Sequence, residues 1–450
     1  MIHDMTEGSP TKQLCLFSVP MMINMMFQQL YTIVNGIVAG QFAGTAALAA
    51  VGASDAAIGI FNAFAIGCNV GCSVVISQLF GSHRFRDMKT AINTALIAAM
   101  ILSCSLTLIG QIICDPLLRI LQVPPDIFFD AAAYFRIYVC VMPFLFLYNI
   151  CTGIFTALGD SKTPLYFLIA SSVGNILLAL LFVGVFRWGA VGTACGTLLS
   201  QLISSLAIFF VLRKRIVPIA TEGDPDHFSW SLLGAIAKIS VPSIFQASFV
   251  SVGNLFVQGQ INAAGTDALA GFVAAFKIHS FSNNALNALA NGLSNFAAQN
   301  LGAGKWKRVR TAFYSGCGIA AVSALLFTAA YVIFCRPLVG IFLSDPTPLA
   351  MQTGMNYLYI VAPFYLVVAI KLMADGVLRG AGCTYMFMTT TFSDLIVRVI
   401  LAFVLPGLIW NGQPLGVTGI WCAWPVGWIV GTALAVVFYF SGTWKRKHIL

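Results

Sequence analysis

The sequence predicts an all-α integral membrane protein with twelve transmembrane helices, six in each of two repeats. Only 9% of its 450 residues are charged and 59% are apolar, whereas soluble domains have about 25% and about 45–50%. The apolar stretches are continuous rather than alternating, which favours helices over the strands of a barrel. The first stretch, Leu14 to Val38, is also too long for the apolar part of a cleaved signal peptide.

An internal repeat spans about half the chain. Four short matches occur in the same order in both halves, and a constant offset argues against chance. The first match is separated by 222 residues and the other three by 221. The matches are Ser18-Val19-Pro20 with Ser240-Val241-Pro242, Gly44-Thr45 with Gly265-Thr266, Gln78 and Gly81 with Gln299 and Gly302, and Pro116-Leu117 with Pro337-Leu338.

Apolar stretches long enough to cross about 30 Å of hydrocarbon define the twelve predicted spans. They are Leu14 to Val38, Ala47 to Phe80, Met88 to Cys114, Phe129 to Ala157, Thr163 to Phe186, Ala190 to Leu212, Ile236 to Ala263, Ala268 to Leu301, Val309 to Phe334, Met351 to Leu378, Cys383 to Trp410 and Gly416 to Phe440.

The basic residues predict the orientation, because cytoplasmic segments are enriched in lysine and arginine. With the N-terminus inside, 17 of the 24 basic residues are cytoplasmic: Lys12, Arg84, Arg86, Lys89, Lys162, Arg213, Lys214, Arg215, Lys238, Lys305, Lys307, Arg308, Arg310, Arg379, Lys445, Arg446 and Lys447. We therefore expect a multi-pass protein of the cytoplasmic (cell) membrane with both termini in the cytoplasm. Six spans per repeat leave the halves in the same orientation, which implies a pseudo-two-fold axis along the membrane normal.

This topology predicts five segments of the chain. They are a cytoplasmic N-terminus (1–13), an N-lobe (14–212), a polar cytoplasmic linker (213–235), a C-lobe (236–440) and a basic cytoplasmic tail (441–450).

Composition and motifs exclude several classes of function. The net charge of +9 reflects topology and contact with anionic membrane lipid. The sequence has no cluster of basic and aromatic residues outside the spans, so we expect no nucleic-acid partner. The twelve cysteines contain no Cys-x-x-Cys pair and fall mostly within spans, so we expect no metal. The sequence has no phosphate-binding loop, zinc-protease motif or serine-nucleophile motif, which argues against an enzyme.

Several motifs resemble the multidrug and toxic compound extrusion (MATE) family. They are Phe17 to Pro20, Gln29 to Gly40, Gly44 to Gly52, Gln78 to Gly81 and Leu378 to Gly382. The resemblance implies two six-helix bundles around a central cavity, with alternating access driven by an inward proton or sodium gradient. It further implies export of a drug or metabolite. Flippases of lipid-linked saccharides share a distant version of this fold.

The chain departs from the family at two acidic positions. Many members carry aspartate where this chain has Asn35, and a second aspartate where it has Ala179. An amide does not titrate and alanine has no ligand atom, so the first-lobe coupling site lacks its acids. Asn35, Asn175 and Thr197 can form a neutral polar site, and interhelical hydrogen bonding is the alternative role.

Ionisable side chains within spans are the candidates for ion coupling, because such groups are costly in hydrocarbon. In the second half, Lys371 and Asp375 are four residues apart, as are Asp394 and Arg398, which places each pair on one helix face. A carboxylate whose protonation decides the partner of a neighbouring base gives two states. Permanent structural ion pairs are the alternative.

The remaining charges suggest a gate. Asp55 and Lys277 occupy nearly equivalent places in the two repeats, and the resemblance puts their helices along the cavity. We therefore expect them to face each other across it, where they form a gate or bind substrate. Tyr31 is an aromatic candidate for the cavity, with packing as its alternative role. His279 points to a different face, which predicts a hydrogen-bonded packing residue.

Two prolines are hinge candidates. Pro20 and Pro242 are at equivalent positions in spans 1 and 7, and a proline beyond the first turn removes a helical hydrogen bond and permits a bend. The alternative is that each merely begins its helix.

The function predicted is secondary active efflux of an organic, cationic drug or metabolite by a monomer, with H+ or Na+ as coupling ion and no cofactor. The intramembrane charges are four bases (Arg136, Lys277, Lys371, Arg398) and three acids (Asp55, Asp375, Asp394). This balance of charges does not exclude an anionic or zwitterionic substrate. A flippase for a lipid-linked precursor and an integral-membrane enzyme are the alternative functions.

Overall fold

The computed structural model describes the backbone of residues 2–38, 44–120, 123, 125–221, 223–343, 347–410 and 412–445. It describes the side chains of these residues except 31, 33–38, 44–57, 255, 263 and 410. The described chain is almost entirely helical. A two-residue antiparallel hairpin, β1 (Ile409–Trp410) with β2 (Gln413–Pro414), is its one sheet.

The described part of the first half of the chain forms seven α-helices. They are α1 (Pro10–Val38), α2 (Gly44–Gly81), α3 (Phe85–Ile120), α4 (Pro125–Val139), α5 (Met142–Ala157), α6 (Lys162–Ala179) and α7 (Gly189–Ile216).

The second half forms eight further α-helices in its described part. They are α8 (Trp230–Ala263), α9 (Thr266–Gly302), α10 (Trp306–Ile333), α11 (Cys335–Gly340), α12 (Pro348–Val361), α13 (Tyr365–Gly380), α14 (Thr384–Val404) and α15 (Val417–Phe440).

Nine described helical segments are long and apolar enough to cross a membrane, and the pair α4 and α5 makes a tenth. Two more long helices, α1 and α9, lie where the first and eighth spans were predicted. The helix α9 is more polar than the others because it carries Asp267, Lys277 and six asparagines. The described helices thus account for a multi-span membrane protein.

Two predicted spans are broken at proline. The fourth span consists of α4 and α5, which meet at a bend of 43° next to Pro143. The tenth consists of α12 and α13, joined by the 3-10 turn Ala362–Phe364 that contains Pro363. Each proline precedes a phenylalanine, and the two are 220 residues apart, close to the repeat offset. The breaks are therefore a shared feature of both repeats.

A third irregularity lies in the fifth span, where α6 continues as the π-helix Leu180–Val185. It begins directly after Ala179, at the position of the missing acid. The glycines of α7 pack closely here, since a Cβ on Gly196 would lie 3.2 Å from the backbone nitrogen of Ala179.

Two compact units divide the described chain. The first contains residues 2–6 and 23–245, and its helix α2 packs on α3, α4 and α5. The second contains residues 7–22 and 246–445, and its helix α9 packs on α10, α12 and α13. The starts of α1 and α8 therefore belong to the opposite unit from the rest of each helix. The lobe boundaries drawn from sequence stay a prediction.

The starts of α1 and α8 pack in the same way in their respective units. In the second unit, Ser18 lies against Gly292 of α9, and in the first unit Ser240 lies against Gly71 of α2. The two serines are 222 residues apart and the two glycines 221. This correspondence shows the internal repeat at the level of side-chain packing.

The linker between α7 and α8 is bound along one face of α3. Lys89 donates to the carbonyl oxygen of Ile219 at 2.7 Å, and Arg86 donates to that of Asp224 at 3.0 Å. The hydroxyl of Thr90 accepts from the backbone of Asp226 at 3.0 Å. Since bonded residues recur every three to four positions of α3, a single helix face orders the linker within the first unit.

We predict that Gly71→Ala destabilises the first unit. A Cβ there would overlap the Ser240 hydroxyl and lie 2.7 Å from the carbonyl oxygen of Ile236, so α2 and α8 must move apart. The expected cost is about 1–3 kcal/mol, measured as a lower midpoint of thermal unfolding in detergent.

Gly318→Ala is the matched control, because nothing lies within 4 Å of a Cβ at that position of α10. Alanine should leave the midpoint unchanged or raise it slightly, since it is the better helix former. Equal midpoints for the two variants would contradict the close approach at Gly71.

Candidate functional site

The half-helix α13 carries the first ion pair of the candidate site. Lys371 and Asp375 lie one turn apart on its buried face, and the Lys371 Nζ is 3.1 Å from the Asp375 Oδ2. Their exposed fractions are 5% and 3%. The helix begins at Tyr365, directly after the break at Pro363, so the pair lies within the first three turns of a new helix.

The second ion pair is on α14 and is joined to the first. Asp394 Oδ1 accepts from Arg398 Nη2 at 2.8 Å, and Asp394 Oδ2 lies 3.7 Å from Lys371 Nζ. Lys371 is therefore bound by carboxylates from two helices. All four side chains are buried, and their formal charges cancel. We call Lys371, Asp375, Asp394 and Arg398 the charge network.

Two further contacts fix the geometry of the charge network. The Thr390 hydroxyl donates to Asp375 Oδ1 at 2.8 Å, so both oxygens of that carboxylate are bonded. On α15, Gly427 and Gly431 pack directly on α14 and α13, because a Cβ on Gly431 would lie 2.7 Å from Lys371 Cε and 2.9 Å from Asp394 Cβ. Glycine at these positions allows α15 to cover the network.

A cluster of buried aromatic rings adjoins the charge network. The Arg398 guanidinium carbon lies 4.3 Å from the ring centroid of Trp424, a cation–π contact. His279 Nδ1 is 3.0 Å from the Tyr365 hydroxyl and its ring packs against Trp428. His279 is thus the hydrogen-bonded packing residue that its position predicted. We call Tyr357, Trp421, Trp424, Trp428 and His279 the aromatic cluster.

Sequence reasoning missed the aromatic cluster, Thr390 and the break at Pro363. The break has a signal in the sequence, since Pro143-Phe144 and Pro363-Phe364 recur at nearly the repeat offset. The cluster has no comparable signal. Its rings come from α9, α12 and α15, and aromatic residues in an apolar chain are usually packing residues.

In the first unit, Asn175 and Thr197 are brought together. The Asn175 side-chain amide donates to the Thr197 hydroxyl at 3.3 Å, joining α6 to α7. Asn175 is 4% exposed. This is the interhelical hydrogen bond named as the alternative, and a role in a polar site stays a prediction.

The gate and hinge residues remain predictions. Lys277 is exposed on α9, with its Nζ 5.5 Å from the ring centroid of Phe342. The side chains of Asp55, Asn35 and Tyr31 lie outside the described residues.

Pro20 and Pro242 lie within α1 and α8, ten and twelve residues after the first helical residue. Neither proline begins its helix, so the helix-start alternative is wrong. A hinge role for these positions stays a prediction.

Arg136, also counted among the intramembrane charges, has a different environment. Its Nη2 donates to both carboxylate oxygens of Asp115, at 3.1 and 3.0 Å, and both side chains are about half exposed. An exposed pair of this kind contributes little to stability.

The buried charged side chains of this multi-span helical protein indicate its general functional class. Such groups mark ion and substrate pathways, and in duplicated helical proteins they lie beside broken helices. The charge network next to the Pro363 break has both features, which are those of a membrane transporter.

Comparison with known proteins identifies the family. The MatE family profile matches residues 20–181 and 242–404, one match in each repeat. The chain is 30% identical over 450 residues to the probable multidrug resistance protein YpnP of Bacillus subtilis, covering 99% of this chain and 98% of the relative. The chain belongs to the MATE family, which consists of transporters and not of enzymes.

A more distant relative is the FAD transporter of Shewanella oneidensis, 26% identical, with 76% of this chain and 77% of that protein aligned. Solved structures show the same fold. A MOP superfamily transporter from Pyrococcus furiosus superimposes with a TM-score of 0.89 at 23% identity, covering 97% of both chains. An outward-facing MATE family transporter gives a TM-score of 0.88 over 97% of this chain and 96% of its own.

We predict that Asp394→Asn strongly destabilises the second unit. The change leaves Lys371 and Arg398 buried with one carboxylate between them, and breaking a buried pair costs about 3–5 kcal/mol. The measurement is the midpoint of thermal unfolding in detergent.

Asp115→Asn is the matched control, because it removes the same charge from a half-exposed arginine pair. We expect a cost of at most about 1 kcal/mol. A similar loss of stability in both variants would contradict the structural importance of the charge network.

Proposed function

We propose that this protein is a secondary active exporter of organic small molecules, coupled to protons through the charge network of the second unit. The observation that carries the proposal is the position of Lys371, held between Asp375 at 3.1 Å and Asp394 at 3.7 Å. Relatives described as multidrug resistance proteins support export as the direction of transport.

Protonation of Asp375 is the proposed coupling event. A neutral Asp375 no longer attracts the Lys371 ammonium, which then has Asp394 as its remaining anionic partner. Lys371 and Arg398 compete for that carboxylate, and the competition changes how α13 packs on α14. The proton thereby selects between two arrangements of the second unit, which is the requirement for coupling.

The geometry favours a proton over sodium. A hard cation needs several oxygen ligands, but the Lys371 ammonium already occupies the place between the two carboxylates. No cluster of three or more acidic, histidine or cysteine side chains that could hold a metal ion occurs among the described residues. A lysine-bound carboxylate pair exchanges protons without such a site.

The residues of the first unit support the assignment of proton coupling to the second unit. At the family position of the second acid, Ala179 is 2% exposed and packs against Gly196. Asn175 and Thr197 bond to each other and neither titrates. We propose that the first unit shapes the substrate pathway with neutral groups, and that Asp55 of the first unit and Lys277 of the second act as gating residues.

For the substrate we propose an organic cation, as relatives named for multidrug resistance suggest. A relative named as an FAD transporter makes an anionic metabolite the second candidate. We further propose that the protein acts as a monomer in the cytoplasmic membrane with both termini inside. A flippase for a lipid-linked precursor is the alternative within transport.

The test is uptake of a fluorescent cationic dye into everted vesicles. We expect uptake with an acidic lumen, and its loss when a protonophore collapses the gradient. A sodium gradient without a pH gradient should give none. Asp375→Asn removes the titrating group but retains the size of the side chain, so uptake should fall to the level of vesicles without the protein.

Asp115→Asn is the control for uptake, because it removes an acid outside the charge network and should transport normally. Both variants are compared at equal abundance, with folding checked by thermal unfolding. Normal proton-driven uptake by Asp375→Asn would overturn coupling through this residue. Uptake of riboflavin nucleotides but not of cationic dyes would replace the organic cation by an anionic substrate.

A further inference from the structure

Three buried polar atoms without a hydrogen-bond partner lie in the aromatic cluster or on the Arg398 side chain that contacts it. They are Arg398 Nε, Trp424 Nε1 and the Tyr357 hydroxyl. The exposed fractions of these residues are 8%, 4% and 0%. Nine side-chain atoms in the described part of the chain share this property, so a third of them are found at this one place.

One of the three atoms belongs to the Trp424 ring, and the other two are on side chains that contact this ring. Arg398 lies over the face of Trp424 at 4.3 Å, and the Tyr357 ring meets the Trp424 ring edge to face, with centroids 6.0 Å apart. Tyr357 comes from α12, Arg398 from α14 and Trp424 from α15. Three helices of the second unit therefore deliver unpaired polar groups to the same region.

The chemistry of these groups specifies what they can bind. An arginine Nε and an indole Nε1 are donors and have no lone pair to accept with, and a tyrosine hydroxyl can donate. A buried donor without a partner costs about 1–3 kcal/mol. Three such donors together require a partner that offers several lone pairs, which is an acceptor and not a cation.

Charge favours an anion over a neutral acceptor. The helices α13 and α14 carry Lys371, Arg379 and Arg398 against Asp375 and Asp394, and α12 and α15 carry no charged residue. Arg379 donates to Asn291 and Ser294, away from the cluster, so the positive charge at the three donors is that of Arg398, whose Nη2 binds Asp394 and whose Nε has no partner. A hydrogen bond from this guanidinium to an anion is charge-assisted and therefore stronger than one to a neutral acceptor. The face of Trp424 is occupied by the guanidinium, so its N–H edge, which is the positive side of the ring, is the part left for an anion.

We propose that Arg398, Trp424 and Tyr357 form a binding site for a small anion, a halide or a carboxylate group. The anion accepts hydrogen bonds from the three donors, of which Arg398 carries a positive charge. Through Arg398, which also binds Asp394 at 2.8 Å, it contacts the charge network without replacing any of its members. The site is inferred from the packing of the second unit, and the inference does not depend on which ion drives transport.

The test is thermal unfolding of the purified full-length protein as a function of the anion. Sodium gluconate holds the ionic strength constant and is replaced stepwise by chloride, bromide or formate. Gluconate is too large for a site between packed rings. We expect the unfolding midpoint to rise and saturate with the small anions, since a ligand bound to the folded state stabilises it.

Two variants and a control locate the site. Tyr357→Phe and Trp424→Phe each remove a donor and keep an aromatic ring, and each should weaken anion binding about tenfold, the worth of a hydrogen bond to a charged group. Tyr439→Phe removes another buried and unpaired hydroxyl, which lies outside the cluster. It should respond to anions as the native protein does.

The outcomes separate the possibilities. A response to chloride and bromide alone identifies a halide from solution, and a response to formate as well identifies a site open to carboxylates. A midpoint that does not depend on the anion would overturn the proposal, as would an unchanged response in both Tyr357→Phe and Trp424→Phe. If Trp424→Phe does not fold, the isosteric Tyr357→Phe still decides. Dye uptake is not part of the readout, so a failure here leaves the proposed transport function untouched.

Discussion

Pairing of buried charge is the constraint on which the second unit depends. An unpaired charge in an apolar interior costs several kcal/mol, and pairing offsets this cost only with good geometry. Lys371, Asp375, Asp394 and Arg398 meet the condition through two helices, and Thr390 occupies the remaining carboxylate oxygen. The glycines of α15 follow from the same constraint, because a larger residue at Gly431 would separate the helix from the paired groups.

The proposed coupling to protons rests on the same pairing. Lys371 has two carboxylate partners, and Asp394 has two basic partners. Protonation of Asp375 would leave Lys371 and Arg398 to share Asp394, which changes how the remaining charged side chains pair. The break at Pro363 lies two turns before Lys371 and interrupts the helix there. A half-helix can tilt with less loss of hydrogen bonding than a continuous one.

The two repeats share their architecture but divide their chemistry. Both place a serine of their first helix against a glycine at the equivalent position, and both break a span at a Pro-Phe pair. Among the described residues, in contrast, the buried charged side chains are concentrated in the second unit, with Asp160 as the one in the first. The first unit joins α6 to α7 through Asn175 and Thr197. Duplication preserved the packing that each unit needs, and the polar residues inside diverged.

The sequence by itself determined the membrane class, the duplication, the family and the two i,i+4 charge pairs, because these depend on composition and on residues close together in the chain. Only the tertiary structure decided that Lys371 reaches Asp394, that Arg398 lies on Trp424, and that the start of α1 packs in the second unit. It also placed Pro20 and Pro242 inside their helices. The physical reason is that contacts between helices depend on their rotation and crossing, which apolar residues on nearly every face of a membrane helix leave unspecified.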